Sequence, residues 1–246
     1  VGTIVPGDRG HRGLTYTLLT PANRYVSRTP DLPGAQYYKL VTPRLAPSKI
    51  GEYLIRAGDE AVETAVPPGF EHFIIGMGGT VTVRVDDQSI DLSDGGFVYL
   101  GPARFFAVAF TPGASVLAIK REYEPWRALP EPGPVQGRLS EVEATPTAVD
   151  GLRRRELIDP TDPAFDFNIS HMEFGPDVAL AQIEIHDEEH GLYMTSGGGL
   201  YHLDGDEHPV EKDDFIYMAP YCPQGFRAGP AGGSYLLYKD VYRDGF

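Results

Sequence analysis

The stretch Glu184-Ile185-His186-Asp187-Glu188-Glu189-His190 decides how this chain is read. It sets three metal-capable side chains within seven residues. In an extended strand, residues i and i+2 point to one face. Val178 to Ile185 reads as a strand, so Glu184 and His186 look the same way. Asp187-Glu188-Glu189 reads as a solvated turn, and His190-Gly191-Leu192-Tyr193-Met194 opens the next strand. A hairpin-like return would bring His190 beside the first pair. Gln224 follows the Pro-rich turn Pro220-Tyr221-Cys222-Pro223 as a fourth donor. Taken singly, Glu184 reads as a carboxylate on a strand edge and Gln224 as a solvated turn residue. Together, a carboxylate, two imidazoles and an amide suit a borderline-hard divalent ion.

Working outward, a second stretch aligns with this one at an almost constant offset. Glu71-His72 meets Glu189-His190, Gly79 meets Gly197, and Asp86 meets Asp204. Phe97-Val98-Tyr99 meets Phe215-Ile216-Tyr217, Pro102 meets Pro220, and Pro112 meets Pro230. After one inserted residue, Ser115, Leu117, Lys120 and Tyr123 meet Ser234, Leu236, Lys239 and Tyr242. An ordered series of this kind reads as two copies of one domain. The 29 glycines and 22 prolines fall between short β-branched and aromatic runs, which makes the fold all-β. The expected division is a first β-domain with an extended leader arm over 1–123, a connector over 124–150 and a second β-domain over 151–246. The leader contains the turn formers Thr20-Pro21-Ala22-Asn23 and Asp31-Leu32-Pro33-Gly34. Leu129-Pro130-Glu131-Pro132-Gly133-Pro134 marks the connector as exposed. At the positions matching Glu184, His186, His190 and Gln224, the first copy carries Val66, Pro68, His72 and Phe106. One histidine cannot hold a labile divalent ion, so only the second copy is expected to bind metal.

Charge and composition remove several classes of function. A net charge of -14 argues against nucleic-acid binding, because phosphate backbones attract Lys and Arg. No apolar run approaches the roughly 20 residues of a membrane helix. Val1-Gly2-Thr3-Ile4-Val5-Pro6 lacks the basic segment and apolar core of a signal peptide. The single cysteine, Cys222, permits no internal disulfide and fits a reducing compartment. The expectation is therefore cytoplasmic. Sheet edges and apolar faces in such folds commonly pair, so a homo-oligomer is expected.

The spacing of Glu184, His186, His190 and Gly197, with Gln224 closing a second motif from Asp213, resembles the cupin superfamily. Two usual motif glycines are replaced by Asp213 and Tyr221, and the donor order is Glu/His/His/Gln. That order in the second half of a bicupin resembles the (S)-ureidoglycine aminohydrolase family. Tyr201 after Gly197-Gly198-Gly199, the Tyr235-Leu236-Leu237-Tyr238-Lys239-Asp240 strand and the Thr20-Pro21-Ala22-Asn23-Arg24 leader also match its pattern. The resemblance implies two tandem jelly-roll barrels and Mn2+ held by Glu184, His186, His190 and Gln224. It further implies Lys239 and Glu184 as catalytic residues, with Tyr201, Tyr235, Lys239 and Gln224 against substrate. The implied substrate is a small anionic ureido acid of allantoin and purine breakdown, from which ammonia is released.

Blander readings stand beside this one. Lys239 on its own is a solvent-facing strand lysine, and Tyr201 and Tyr235 are barrel-filling aromatics. Similar His/carboxylate shells serve cupin dioxygenases and sugar-acid isomerases. A non-catalytic bicupin that binds a small acid is the third reading. Donor type also admits Fe2+, Zn2+ or Ni2+ beside Mn2+.

Overall fold

The computed structural model describes residues 8–27, 32–44, 48–241 and 243. Val1 to Pro6, Asp31 and Tyr242 lie outside the described residues. The chain divides into two compact units. Strands dominate both, and the helical pieces among the described residues are three single turns, Pro21–Asn23, Ser93–Gly95 and Leu139–Glu141.

One unit comprises Tyr25–Arg44 and Lys49–Val142. Its seven-stranded sheet runs Val135–Arg138, Gly96–Leu100, Glu71–Gly78, Ser115–Arg121, Gly51–Ala57, Ala35–Val41, Val26–Ser27. A four-stranded sheet runs Val62–Val66, Phe106–Phe110, Val81–Val85, Gln88–Asp91. The period-two pattern explains the packing. Phe106, Val108 and Phe110 alternate with half-buried alanines and sit opposite Val85, Val83 and Val81. These residues share one core with Tyr53, Ile55, Ile74, Val98 and Val116 of the larger sheet. Each such burial contributes about 1.5–3 kcal/mol.

The other unit takes in the chain up to Arg24, the piece Leu45–Ser48 and Glu143 onward. Its nine-stranded sheet is built around two long antiparallel strands, His190–Leu203 and Gln224–Asp240. Irregularities at Met194/Ser196 and Gly197/Gly199 bend the pair. The first half of His190–Leu203 then pairs with Phe215–Met218, and the second half with Asp206–Glu211. Gly197 makes this bend possible. Its φ is +60°, and an added Cβ would lie 2.2 Å from the Gly232 carbonyl oxygen.

The repeat is visible in the backbone. Gly79 and Gly197, Asp86 and Asp204, and Gly113 and Gly232 all have positive φ at matched places. Asp213 and Tyr221, standing where the resemblance expects glycine, keep the left-handed conformation at φ 71° and 65°. The requirement is thus on the backbone, and non-glycine residues bear its cost. Arg24 offsets part of it at Asp213 by donating to that residue's carbonyl oxygen, while Tyr193 Oη donates to Asp213 Oδ1 at 3.1 Å.

Two expectations about chain division need correction. The leader, grouped by sequence with the first barrel, contributes His11–Arg12 and Tyr16–Leu19 to the sheet of the second. Tyr16 and Leu18 are buried in that core, and Tyr16–Leu19 covers the edge of Phe215–Met218. The connector is exposed over most of 127–134, but Val135–Arg138 pairs with Gly96–Leu100 as an edge strand.

Candidate metal centre

The segment before His190 is not the continuous strand that alternation predicts. It runs antiparallel beside the start of Gln224–Asp240 with a break in register. Ala179 bridges Arg227, whereas Glu184 bridges Gln224. The residue-number sums are 406 and 408, so two extra residues bulge between these bridges. The bulge leaves Ile183 and Ile185 exposed at the rim. Glu184 is pinned to Gln224 through both backbone bonds, N–H to O at 2.8 Å and back at 2.9 Å. His186 is fixed through its carbonyl, which accepts from Tyr221 N–H.

His190 begins its strand as expected, and its alternation partners Leu192 and Met194 point into the core. Gln224 begins the other long strand, with Phe226 and Ala228 on its buried face. The side chains at these two strand starts meet, with Gln224 Nε2 3.1 Å from His190 Nδ1. His186 Nε2 lies 3.2 Å from Glu184 Oε2, and the two imidazole centroids are 5.0 Å apart. Tyr201 Oη donates to Gln224 Oε1 at 3.4 Å. The four expected donors therefore gather as a chain of neighbours, Glu184 to His186 to His190 to Gln224. Glu184 and His186 are at the open side, and His190 and Gln224 are buried. Among the described residues, no three His, Cys, Asp or Glu side chains form a closed metal-holding group.

The donor chemistry can still be tested against a divalent ion. Adjacent donors bonded to one such ion at about 2.1 Å stand roughly 3 Å apart. The Glu184–His186 separation is of that size. Burial, aided by the nearby Lys239 and His186, holds His190 well below the usual imidazole range, so it stays neutral and able to ligate. Carboxylate, imidazole and amide donors without thiolate fit a hard-to-borderline cation.

Lys239 sits directly across the strand pair from His190. Its Nζ is 3.3 Å from Glu188 Oε1. Tyr201 and Tyr235 are both buried, and both feel the Glu184 charge. Burial, then Tyr235 and Glu184, pushes the Tyr201 phenol well up; burial, then Glu184, raises that of Tyr235. Both therefore remain hydroxyl donors near neutral pH. The structure brings all seven sequence-selected residues into one neighbourhood of the second unit.

The turn 187–189 is only partly the solvated feature that its composition suggests. Glu188 pairs with Lys239, and Glu189 is buried. The repeat carries the signal for Glu189. Its counterpart Glu71 is fully buried and accepts from Tyr99 Oη at 2.8 Å, and Tyr217, the counterpart of Tyr99, is pushed up by burial and by Glu189. Both copies thus set a buried Glu, next in sequence to the matched histidine, against a buried Tyr. Cys222 is buried, and burial raises its thiol to about 11, which suits packing rather than nucleophilic use.

No family model matches the chain. Among solved structures, protein Ylba from E. coli superimposes with a TM-score of 0.86 at 27% identity, covering 98% of this chain and 97% of that one. A cupin 2 conserved barrel domain protein from Leptotrichia buccalis superimposes with a TM-score of 0.63 at 14% identity, over 88% and 91%. That likeness assigns the cupin barrel fold. An (S)-ureidoglycine aminohydrolase of Arabidopsis thaliana is 30% identical over 231 residues, 93% of this chain and 76% of its own length. One of Escherichia coli K12 is 31% identical over 239 residues, 93% of this chain and 89% of its own. With 31% identity over 93% of this chain and 89% of that relative, the chain belongs to the (S)-ureidoglycine aminohydrolase family.

Proposed function

We propose that this protein is a metal-dependent aminohydrolase that converts (S)-ureidoglycine and water to (S)-ureidoglycolate and ammonia. Family membership supports the reaction. The observation that carries the site is the gathering of Glu184, His186, His190 and Gln224 beside Lys239 at one end of the second barrel.

Glu184, His186, His190 and Gln224 would hold one divalent cation, with Mn2+ the best match to their oxygen and imidazole donors. When bound, it supplies electrostatic stabilisation and chelation that orients the substrate. The four ligands carry one negative charge, from Glu184, so a divalent centre keeps about one positive unit. Lys239 adds a second positive charge facing the same space. Together they favour a small carboxylate despite the chain's net charge of -14.

The Lys239 ammonium grips the substrate carboxylate, exchanging its bond to Glu188 for one to substrate. Tyr201 and Tyr235, kept protonated by burial, donate to the ureido oxygen. Their aromatic bodies close the inner wall and restrict water to the open side. Breaking the bond from the α-carbon to the amino nitrogen releases ammonia, and a water oxygen replaces that nitrogen. Glu184, at the open side with a partly exposed carboxylate, is positioned to steer that water and, with Lys239, to manage its proton. A homo-oligomer in the cytoplasm is part of this reading.

The test is ammonia release from freshly prepared ureidoglycine before and after chelation and metal return. Metal-dependent ammonia release with ureidoglycolate as product and no oxygen uptake supports the hydrolase. Oxygen uptake would indicate dioxygenase chemistry. Altered stability without turnover would leave a binding protein.

A further inference from the structure

The first unit holds an apolar cavity of about 340 Å3 at the place that corresponds to the metal centre of the second. Val66, Pro68, His72 and Phe106, the counterparts of the four donors, all line it. Lys120, the counterpart of Lys239, also faces this space. The two lysines differ in what they meet. Lys239 pairs with Glu188 at 3.3 Å. The residue matching Glu188 is Phe70, and the Lys120 ammonium lies 4.6 Å from its ring centroid. Among the described residues, no carboxylate lies within ion-pair distance of Lys120.

The half-buried Lys120 ammonium is partly desolvated, and only the attraction of the Phe70 ring offsets that until an anion binds. Burial lowers the Lys120 pKa, consistent with that cost. His72 does not offset the charge. Burial and Lys120 lower its pKa to about 4, so it is neutral, and Nδ1 lies 3.0 Å from the Phe70 carbonyl oxygen. Beyond Lys120, His72 and Thr64, the lining side chains are hydrocarbon and aromatic, with Tyr37 and Tyr53 packed at a centroid separation of 5.0 Å. A metal has no donor set here, and much of a polar ureide would face the apolar Val66, Phe106 and Val108.

We propose that the first barrel is a binding site for a small monocarboxylic acid with an apolar body, the carboxylate on Lys120 and the body in the Phe106-walled cavity. The charge selects an anion, and the lining selects its hydrocarbon part. The site is independent of turnover in the second barrel.

Isothermal titration of the full chain with 4-phenylbutyrate tests this, using the neutral analogue 4-phenyl-1-butanol as comparator. The acid is expected to bind once per chain with a dissociation constant of about 0.1 mM, and the alcohol about tenfold more weakly. Lys120→Met should weaken acid binding about tenfold, while Lys120→Arg retains it. The comparison of acid with alcohol needs no variant, so it decides even if Lys120→Met fails to fold. Equal affinity for acid and alcohol would overturn the proposal. So would the absence of saturable binding up to about 10 mM, well above that dissociation constant. Binding abolished by Lys239→Met but unaffected by Lys120→Met would move the acid to the second barrel and also overturn it.

Discussion

Lys239→Met separates a residue that holds substrate from one that merely holds a turn. Lys239 Nζ is 3.3 Å from Glu188 Oε1, and the two side chains are 29% and 23% exposed. At an effective dielectric near 20, two charges at that distance attract by about 5 kcal/mol. Desolvation, side-chain ordering and screening reduce such a partly exposed pair to a net of about 1 kcal/mol or less. Loss of the pair should therefore lower the melting temperature by only about 2–4 °C. A charge-assisted hydrogen bond to a substrate carboxylate is worth about 1.5–3 kcal/mol, so kcat/KM should fall roughly 100-fold. Metal content should not change. Glu188→Gln provides the control, because it removes the same ion pair and leaves Lys239 in place. Its kcat/KM should stay within about fivefold of wild type, less than one unit of RT ln 10. Steady-state kinetics, thermal melts and metal analysis on both variants make the comparison. Near-normal turnover in Lys239→Met would remove Lys239 from the mechanism. An equal loss in Glu188→Gln would show that the ion pair, and not contact with substrate, is what matters.

Three other perturbations follow from the same structure. Tyr201→Phe removes the hydroxyl that donates to Gln224 at 3.4 Å, a loss of about 1 kcal/mol, so KM should rise roughly fivefold with metal retained. Gly197→Ala forces a Cβ to within 2.2 Å of the Gly232 carbonyl oxygen at φ +60°, and denaturant melts should register destabilisation of about 2–4 kcal/mol. His72 has its folded pKa lowered to about 4 from 6.5, so the unfolded chain takes up the proton first as pH falls. The stability linked to neutral His72 is intact above about pH 6.5 and is lost down to about pH 4, roughly 3 kcal/mol in all. His72→Leu should remove that part of the acid dependence in urea melts at a series of pH values.

The placement of the candidate site's residues was partly legible because it rests on local spacing. His190 opens a strand as its apolar alternation requires, and Gln224 begins the other long strand after the Pro-rich turn. The internal repeat made the two units visible, since matched glycines and aspartates occupy matched left-handed positions. What the sequence hid depends on pairing across long distances. The bulge between Ala179 and Glu184 arises from competition between two bridges to the facing strand, which alternation alone does not encode. Position in the chain groups Tyr16–Leu19 with the first unit, and only its pairing with Phe215–Met218 puts it in the second. Glu188 looked like surface because its partner, Lys239, is on a strand far along the chain.

The most direct test of the central claim is metal analysis of the purified protein alongside two variants. The account predicts one equivalent of divalent metal per chain, lost together with ammonia release in His186→Ala and retained in His72→Leu. Two equivalents per chain, or one equivalent that survives His186→Ala and disappears in His72→Leu, would contradict it.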